Sequence, residues 1–149
     1  MTAYTPEEIR VTCKEITNIE QVINAKLPSL KRLSRNSSED EVKDIIRLHI
    51  VELDVFLKQK SGLSPEAIEL LTDEIFNAYG HILSFADIYL IFRKAKLGRY
   101  GELYNQLSSM KIMQWFDAHI DDRLYTGAEM SRRADAEKFG YDDGWYRSR

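Results

Sequence analysis

Apolar residues recur every three or four positions along most of this chain, and this spacing limits the folds open to it. Residues so spaced lie on one face of an α-helix, whereas a half-buried strand would alternate every second residue. Only seven glycines and three prolines punctuate the chain, and the stretches between them are long. The sequence therefore predicts an all-α fold with a single compact bundle. Two of the predicted inner faces are Ile9, Cys13, Ile16, Ile19 and Ile23, followed by Val42, Ile46, His49, Leu53 and Phe56.

Capping signals divide the chain into about five helices. Thr5 and Pro6, Ser38, Ser64 and Pro65, and Ser84 each stand before a helical pattern, and a last long helix begins near Ser109. The first helix must end before Pro28, and a basic connector over 26–38 has room for one short helical turn. The fourth helix, over 85–97, is apolar nearly all round, which predicts a place in the middle of the bundle.

The last helix leaves its length open. Its predicted inner positions are Ile112, Met113, Phe116, Ile120 and Leu124. The pattern can continue past Gly127 as far as Phe139, or kink and break near Thr126 and Gly127, because glycine is unfavourable within a helix.

Length and composition indicate one domain over residues 1–139, followed by an aromatic and charged tail over 140–149. The chain has 149 residues and a net charge of -3. Its one cysteine, Cys13, excludes an internal disulfide and a multi-cysteine zinc site, and its place in an apolar stripe predicts burial. No apolar run long enough to cross a membrane and no signal peptide is present. We therefore expect a cytoplasmic protein without membrane contact; the sequence leaves its oligomeric state open.

The motifs of familiar enzyme classes are missing from the sequence. There is no phosphate-binding loop, no pair of histidines four residues apart, and no G-x-S-x-G elbow. His49 could serve as a ligand or proton shuttle, but a core histidine bonded to a neighbour is favoured. His81 is expected to be a cap or a surface residue. The sequence thus predicts no catalytic residue, no bound metal and no cofactor.

One acidic cluster on the last helix is a candidate metal site. Asp117 and Asp121 are four residues apart and share a helix face, with His119 and Asp122 beside them. Such groups could hold Mg²⁺ or Mn²⁺ if other helices supplied further ligands. No second acidic pair completes the site, and a solvated helix face is the preferred interpretation.

A basic turn after the fourth helix is the main surface candidate. Arg93, Lys94, Lys96 and Arg99 place four cations within seven residues, and Tyr100 follows directly. Cations at a helix C-terminus favour the helix dipole without any function. The functional alternative is that these five residues bind nucleic acid or an acidic partner, with Tyr100 available for base stacking.

The tail provides the second surface candidate. Tyr141, Trp145 and Tyr146 lack a helical period and stand among aspartates and arginine. Such a segment either folds back on the bundle or docks on a partner, where Trp, Tyr and Arg are frequent anchors.

Parts of residues 64–125 resemble a known group of proteins. The segments 86–95 and 98–104, with Trp115-Phe116 and Asp122-Arg123, resemble small, mostly uncharacterised helical proteins of phages and mobile elements of anaerobic gut bacteria. The spacing of Tyr104, Ile112 and Trp115 is also similar to a Tyr…Ile…Trp pattern in DnaD-like replication-initiation domains. The chain departs from that pattern by lacking the basic stretch after the tryptophan. The resemblance implies an accessory role in DNA replication, such as a helicase-loader-like adaptor.

These observations together predict a non-enzymatic accessory or adaptor protein of a phage or mobile element that binds a partner protein. The alternative is a small DNA-binding regulator that uses the basic turn. A metal-dependent enzyme built on Asp117, His119 and Asp121 is the third and least favoured hypothesis.

Overall fold

The computed structural model describes residues 5–57, 62–101 and 107–138, apart from the side chain of Pro6. Across these ranges there is no β-strand, and seven α-helices pack around a common core. They are α1 (Pro6–Cys13), α2 (Ile19–Ala25), α3 (Leu30–Asn36), α4 (Glu39–Leu57), α5 (Pro65–Glu74), α6 (Phe85–Lys96) and α7 (Ser109–Lys138); one π-helical turn, Ile75–Tyr79, continues α5. The predicted all-α bundle is confirmed, with more and shorter helices than the five expected.

The first predicted helix is in fact two helices. Asn18 caps α2 by accepting a hydrogen bond from the Gln21 backbone N–H at 2.9 Å, while the Thr17 N–H donates to the Gln21 side chain at 2.6 Å. These local bonds compete with the helical pattern and end α1. The apolar stripe survives the break, because Ile9, Cys13 and Ile16 are all buried.

Side-chain caps fix several helix beginnings where the sequence predicts them. The Thr5 hydroxyl accepts from the Glu8 backbone N–H, and the Glu8 carboxylate accepts from the Thr5 N–H, each at 3.1 Å. Ser38 and Ser64 accept from backbone N–H groups in the first turns of α4 and α5. The basic connector contains α3, whose first two N–H groups donate to the carbonyls of Leu83 and Gly80, each at 2.9 Å.

Helix α6 lies at the centre of the bundle, as its composition predicts, and it contacts α1, α2, α4 and α7. Eight of its twelve residues are buried. The inner face of α4 differs from the prediction: Ile50 is fully buried, whereas Phe56 is 57% exposed. This helix is therefore rotated slightly, so that His49 and Phe56 face a groove rather than the core.

Helix α7 runs without interruption through Gly127 to Lys138. Ile112 and Phe116 are buried as predicted, but Leu124 is 62% exposed and the prediction of an inner position for it is wrong. The buried residues of this helix all lie in its first half. None of the helices within the described residues has the length and apolar character needed to cross a membrane.

Candidate functional site

Helices α1, α4 and α6 enclose an open groove of about 650 Å³. Its deepest side chains, Cys13, Ile16 and Phe92, belong to the buried core. Val11 and Phe56 also line it and are exposed. The volume lies within the range of ordinary ligand-binding clefts, and much of the lining is apolar.

Aromatic rings form the α4–α6 side of the groove. The His49 ring makes an edge-on contact with Tyr89, with ring centroids 4.6 Å apart, and lies within 6.5 Å of Phe92. Burial, with smaller contributions from the charges of Lys96 and Arg10, lowers the pKa of His49 to about 4. The imidazole is therefore neutral at pH 7, and it adds to an uncharged aromatic surface. No hydrogen bond to His49 occurs among the described residues, so its predicted bonded neighbour is absent there.

Cations outnumber carboxylates around this apolar surface. Among the described residues, the groove is lined by Arg10 and Lys14 on the α1 side and by Arg93 and Lys96 on the α6 side, whereas its carboxylates are Glu7 and Glu52. The Lys96 ammonium lies 5.2 Å from the centre of the Phe56 ring, a cation–π distance. An occupant with an apolar face and acidic flanks is therefore complementary to the groove.

A second, smaller cavity of about 140 Å³ adjoins the groove near the end of α6. Arg93, Lys94 and Arg99 line it together with Thr17, Leu90 and Leu97. Arg93 and Leu97 line both cavities. We call this cavity the basic pocket.

The end of α6 places the cations of the basic pocket. The Arg99 N–H donates to the Lys94 carbonyl at 2.9 Å, and the Gly98 N–H donates to the Ala95 carbonyl at 3.1 Å. Gly98 has φ of 74°, the left-handed conformation that this helix ending requires. The reversal returns Arg99 to the side of Lys94, so two residues five positions apart meet at one cavity.

The basic-turn residues predicted from the sequence thus divide into two groups. Arg93, Lys94, Lys96 and Arg99 line the groove, the basic pocket or both. Tyr100 does not join them: its ring stacks on Trp115, with centroids 5.3 Å apart and planes 13° from parallel. Its hydroxyl is buried without a hydrogen-bond partner among the described residues, and burial raises its pKa to about 12. Tyr100 is therefore half-buried against the core, with one ring face covered by Trp115, and is not an exposed platform for base stacking.

The second predicted surface, Tyr141, Trp145 and Tyr146, lies outside the described residues. The same holds for the boundary between the domain over 1–139 and the tail over 140–149. Docking through these aromatic residues stays a prediction.

The acidic cluster of α7 is split between the surface and the core. Asp117 and Asp121 are exposed, whereas His119 is 1% exposed and points inward. The Tyr79 hydroxyl donates to the Asp117 carboxylate. Within the described ranges, no three His, Cys, Asp or Glu side chains are grouped as a metal site would require.

The inward partner of His119 is Asp87, the one charged residue in the apolar stretch 85–92. Its carboxylate is fully buried, lies 2.7 Å from His119 Nε2 and accepts from Arg123 Nε at 3.0 Å. It also accepts from the Ser84 backbone N–H at 2.8 Å, forming the capping box of α6. The Ser84-x-x-Asp87 spacing is the one signal in the sequence that could have identified this role.

These contacts keep Asp87 ionised. Burial alone would raise the pKa of the Asp87 carboxyl, but the His119 hydrogen bond and the Arg123 charge outweigh it, so that pKa is lowered. The other buried reactive group is inert, because burial and the nearby Asp87 charge raise the pKa of the Cys13 thiol to about 12. Neither arrangement supplies an activated nucleophile.

His81 is exposed, as its position after Gly80 predicts.

No protein-family model, curated protein or solved structure matches this chain.

Proposed function

We propose that this protein is a non-enzymatic adaptor that binds an acidic, amphipathic helical segment of a partner protein in the groove between α1, α4 and α6. The observation that carries the proposal is the combination of an aromatic inner surface with an excess of cations around it. A helix laid in such a groove buries its apolar stripe and pairs its acidic flanks with the two basic sides.

The surface around the groove favours a macromolecular occupant. The groove side of α4 carries His49, Glu52 and Phe56. Successive residues of an α-helix are turned by about 100°, so Leu48, Val51 and Val55 lie next to this side, and all three are exposed. A small molecule would leave these apolar side chains in water, whereas a partner protein would cover them.

The resemblance of residues 64–125 adds a setting to this proposal: an accessory protein of a phage or mobile element, acting as an adaptor in DNA replication. The groove itself requires α1 and α4, and both helices lie outside the resembling region. The adaptor role therefore has support from the groove, and the replication setting has support from the resemblance alone.

The proposal is tested with a labelled amphipathic peptide of about 15 residues, long enough for three to four helical turns. Its apolar stripe is leucine and its flanks are glutamate; a second peptide carries lysine in place of glutamate. Fluorescence anisotropy should show saturable binding of the acidic peptide and none of the basic one. Equal binding of both peptides, or no binding of either, would overturn the proposal.

Matched variants locate the binding. Arg10→Glu with Lys96→Glu reverses two groove cations, and we expect the affinity for the acidic peptide to fall about tenfold or more. The control, Arg32→Glu with Arg35→Glu, reverses two exposed cations on α3 and should leave the affinity unchanged. Equal effects from both pairs would show that net charge, and not the groove, attracts the peptide.

A second candidate function is DNA binding, which is favoured by the four cations that the structure brings to one end of α6. Each phosphate contact contributes about one unit to the slope of log affinity against log salt. Arg93→Ala with Lys96→Ala should then flatten the salt dependence of binding to a DNA duplex. Absence of binding by the intact protein at low salt would exclude this function.

A further inference from the structure

We infer that the basic pocket is an oxyanion subsite that receives a phosphomonoester of the partner segment docked in the groove. This inference rests on the proposed function for the source of the phosphate, but the pocket has its own geometric basis.

The first basis is charge. Three cations, Arg93, Lys94 and Arg99, line one cavity, and among the described residues no carboxylate lines it. None of the three forms an ion pair among the described residues. Cations grouped in this way repel one another, and a bound dianion relieves the repulsion. The carbonyl end of a helix dipole disfavours an anion, but it carries only about half a charge against these three.

The second basis is size. A water molecule occupies about 30 Å³, so a cavity of about 140 Å³ has room for several water molecules and therefore for a phosphate group. A phosphate presents several oxygens to the surrounding donors. Arginine binds phosphate with two parallel N–H groups, and two of the three cations here are arginines.

The third basis is that the donors are held in place. The Gly98 turn fixes Arg99 beside Lys94 through the backbone bond between Arg99 and Lys94. The Thr17 hydroxyl already donates to the Gln21 side chain at 3.1 Å, so it shapes the pocket and the cations do the binding.

The source of the phosphate follows from the position of the pocket. Arg93 and Leu97 line both the pocket and the groove. A helix lying in the groove therefore brings the side chain at one of its ends to the pocket. A phosphoserine at that end would combine with the acidic flanks of the same segment, whereas a nucleic acid would leave the apolar groove unoccupied.

The first experiment tests the pocket alone. The Arg Nε–Hε signals of ¹⁵N-labelled protein are followed during titration with inorganic phosphate at constant ionic strength. Saturable shifts of Arg93 and Arg99 are expected, and Lys94→Gln with Arg99→Gln should remove the shift of Arg93. The control, Lys96→Gln, changes a cation that lines only the groove and should leave these shifts intact. Phosphate binding in the basic pocket is contradicted if the shifts rise linearly with phosphate concentration, or if the Arg93 shift persists in the double variant.

The second experiment tests the source. Two versions of the acidic peptide carry phosphoserine at the first or the last residue, and each is compared with its serine counterpart. One phosphorylated version should bind about tenfold more tightly than its counterpart, and Lys94→Gln with Arg99→Gln should abolish that gain. The inference is overturned if phosphorylation increases the affinity of neither version. It is also overturned if a DNA oligonucleotide displaces bound phosphate at a lower concentration than the phosphopeptide does. If the serine peptides do not bind but inorganic phosphate binds saturably, the proposed peptide binding in the groove is rejected and the phosphate site in the basic pocket is not.

Discussion

The carboxylate of Asp87 lies 2.7 Å from Nε2 of His119, and both side chains are fully enclosed between α6 and α7. Since an ionised carboxylate only accepts hydrogen bonds, Nε2 carries the proton in this contact. The same carboxylate caps α6 through Ser84 and holds Arg123 of α7. One buried charge thus joins the start of the central helix to the last helix.

Asp87→Ala should lower the free energy of unfolding by about 3–5 kcal/mol, because it removes a cap and leaves the buried His119 and the half-buried Arg123 without their acceptor. Urea denaturation followed by circular dichroism measures this. The control is Asp121→Ala, an exposed carboxylate on α7 that should cost less than about 0.5 kcal/mol. Similar losses in both variants would contradict the assigned role of Asp87.

Stability should fall as the pH is lowered from about 6.5 towards 4, because the pKa of His49 is lowered to about 4 in the folded protein. In this window the unfolded chain binds a proton at His49 and the folded protein does not, so protonation favours unfolding. His49→Gln should reduce the pH dependence, whereas His81→Gln, at an exposed position, should not. An NMR titration that places the pKa of His49 near 6.5 would refute the prediction.

Two glycines should respond to alanine with opposite signs. A Cβ at Gly80 would overlap the Phe76 carbonyl oxygen and lie 3.0 Å from Cγ of Lys31, where α3 docks on the end of the π-helical turn. Gly80→Ala should cost about 1–3 kcal/mol. At Gly127 the nearest atom is Cδ1 of Ile23 at 3.9 Å, so Gly127→Ala should stabilise α7 by up to about 1 kcal/mol. Chemical denaturation measures the change in the free energy of unfolding for each variant. Changes of the same sign would contradict the packing described around one of the two glycines.

Substitution of Gly98 tests the free-energy cost of the left-handed backbone conformation alone. Apart from its two neighbours in the chain, no described residue has an atom within 4 Å of the position of an added Cβ, but φ is 74°. Gly98→Ala should therefore lower the stability by about 1–2 kcal/mol, and Gly98→Asn by less, because asparagine tolerates the left-handed region better. Thermal unfolding of the two variants tests this order, and alanine matching glycine would mean that the turn adapts freely.

The sequence was sufficient for the elements that depend on local chemistry. Caps such as Thr5 with Glu8 and the apolar character of residues 85–97 each act within a few positions, so they can be read along the chain. The break at Thr17 and Asn18 was missed because the apolar spacing of α1 continues unchanged into α2. Its cause is a set of side-chain bonds to Gln21 that periodicity does not record.

Side chains whose role depends on another helix were the difficult ones. Phe56 fits the inner stripe of α4 by spacing, but it lines the groove because α1 and α6 leave a gap there. Arg93 and Lys96 can be identified from the sequence because they belong to a cluster of cations. Arg10 and Lys14 line the same groove only because α1 packs on α6, which the sequence pattern does not indicate. Tyr100 looked exposed beside four cations, and only the fold reveals Trp115 beneath its ring.

The 30 residues of α7 span about 45 Å, but the buried ones, Ile112, Trp115, Phe116 and His119, all belong to its first eleven positions. Farther along, within this helix, the anchoring includes an exposed ion pair between Arg133 and Glu20 at 2.9 Å. Exposed pairs of this kind add little free energy. Amide hydrogens should therefore exchange with solvent at very different rates along this one helix: those near Trp115 only when the whole bundle unfolds, and those beyond Arg133 through local fraying. A single continuous helix thus contains amides that report on global unfolding and amides that report on local fraying.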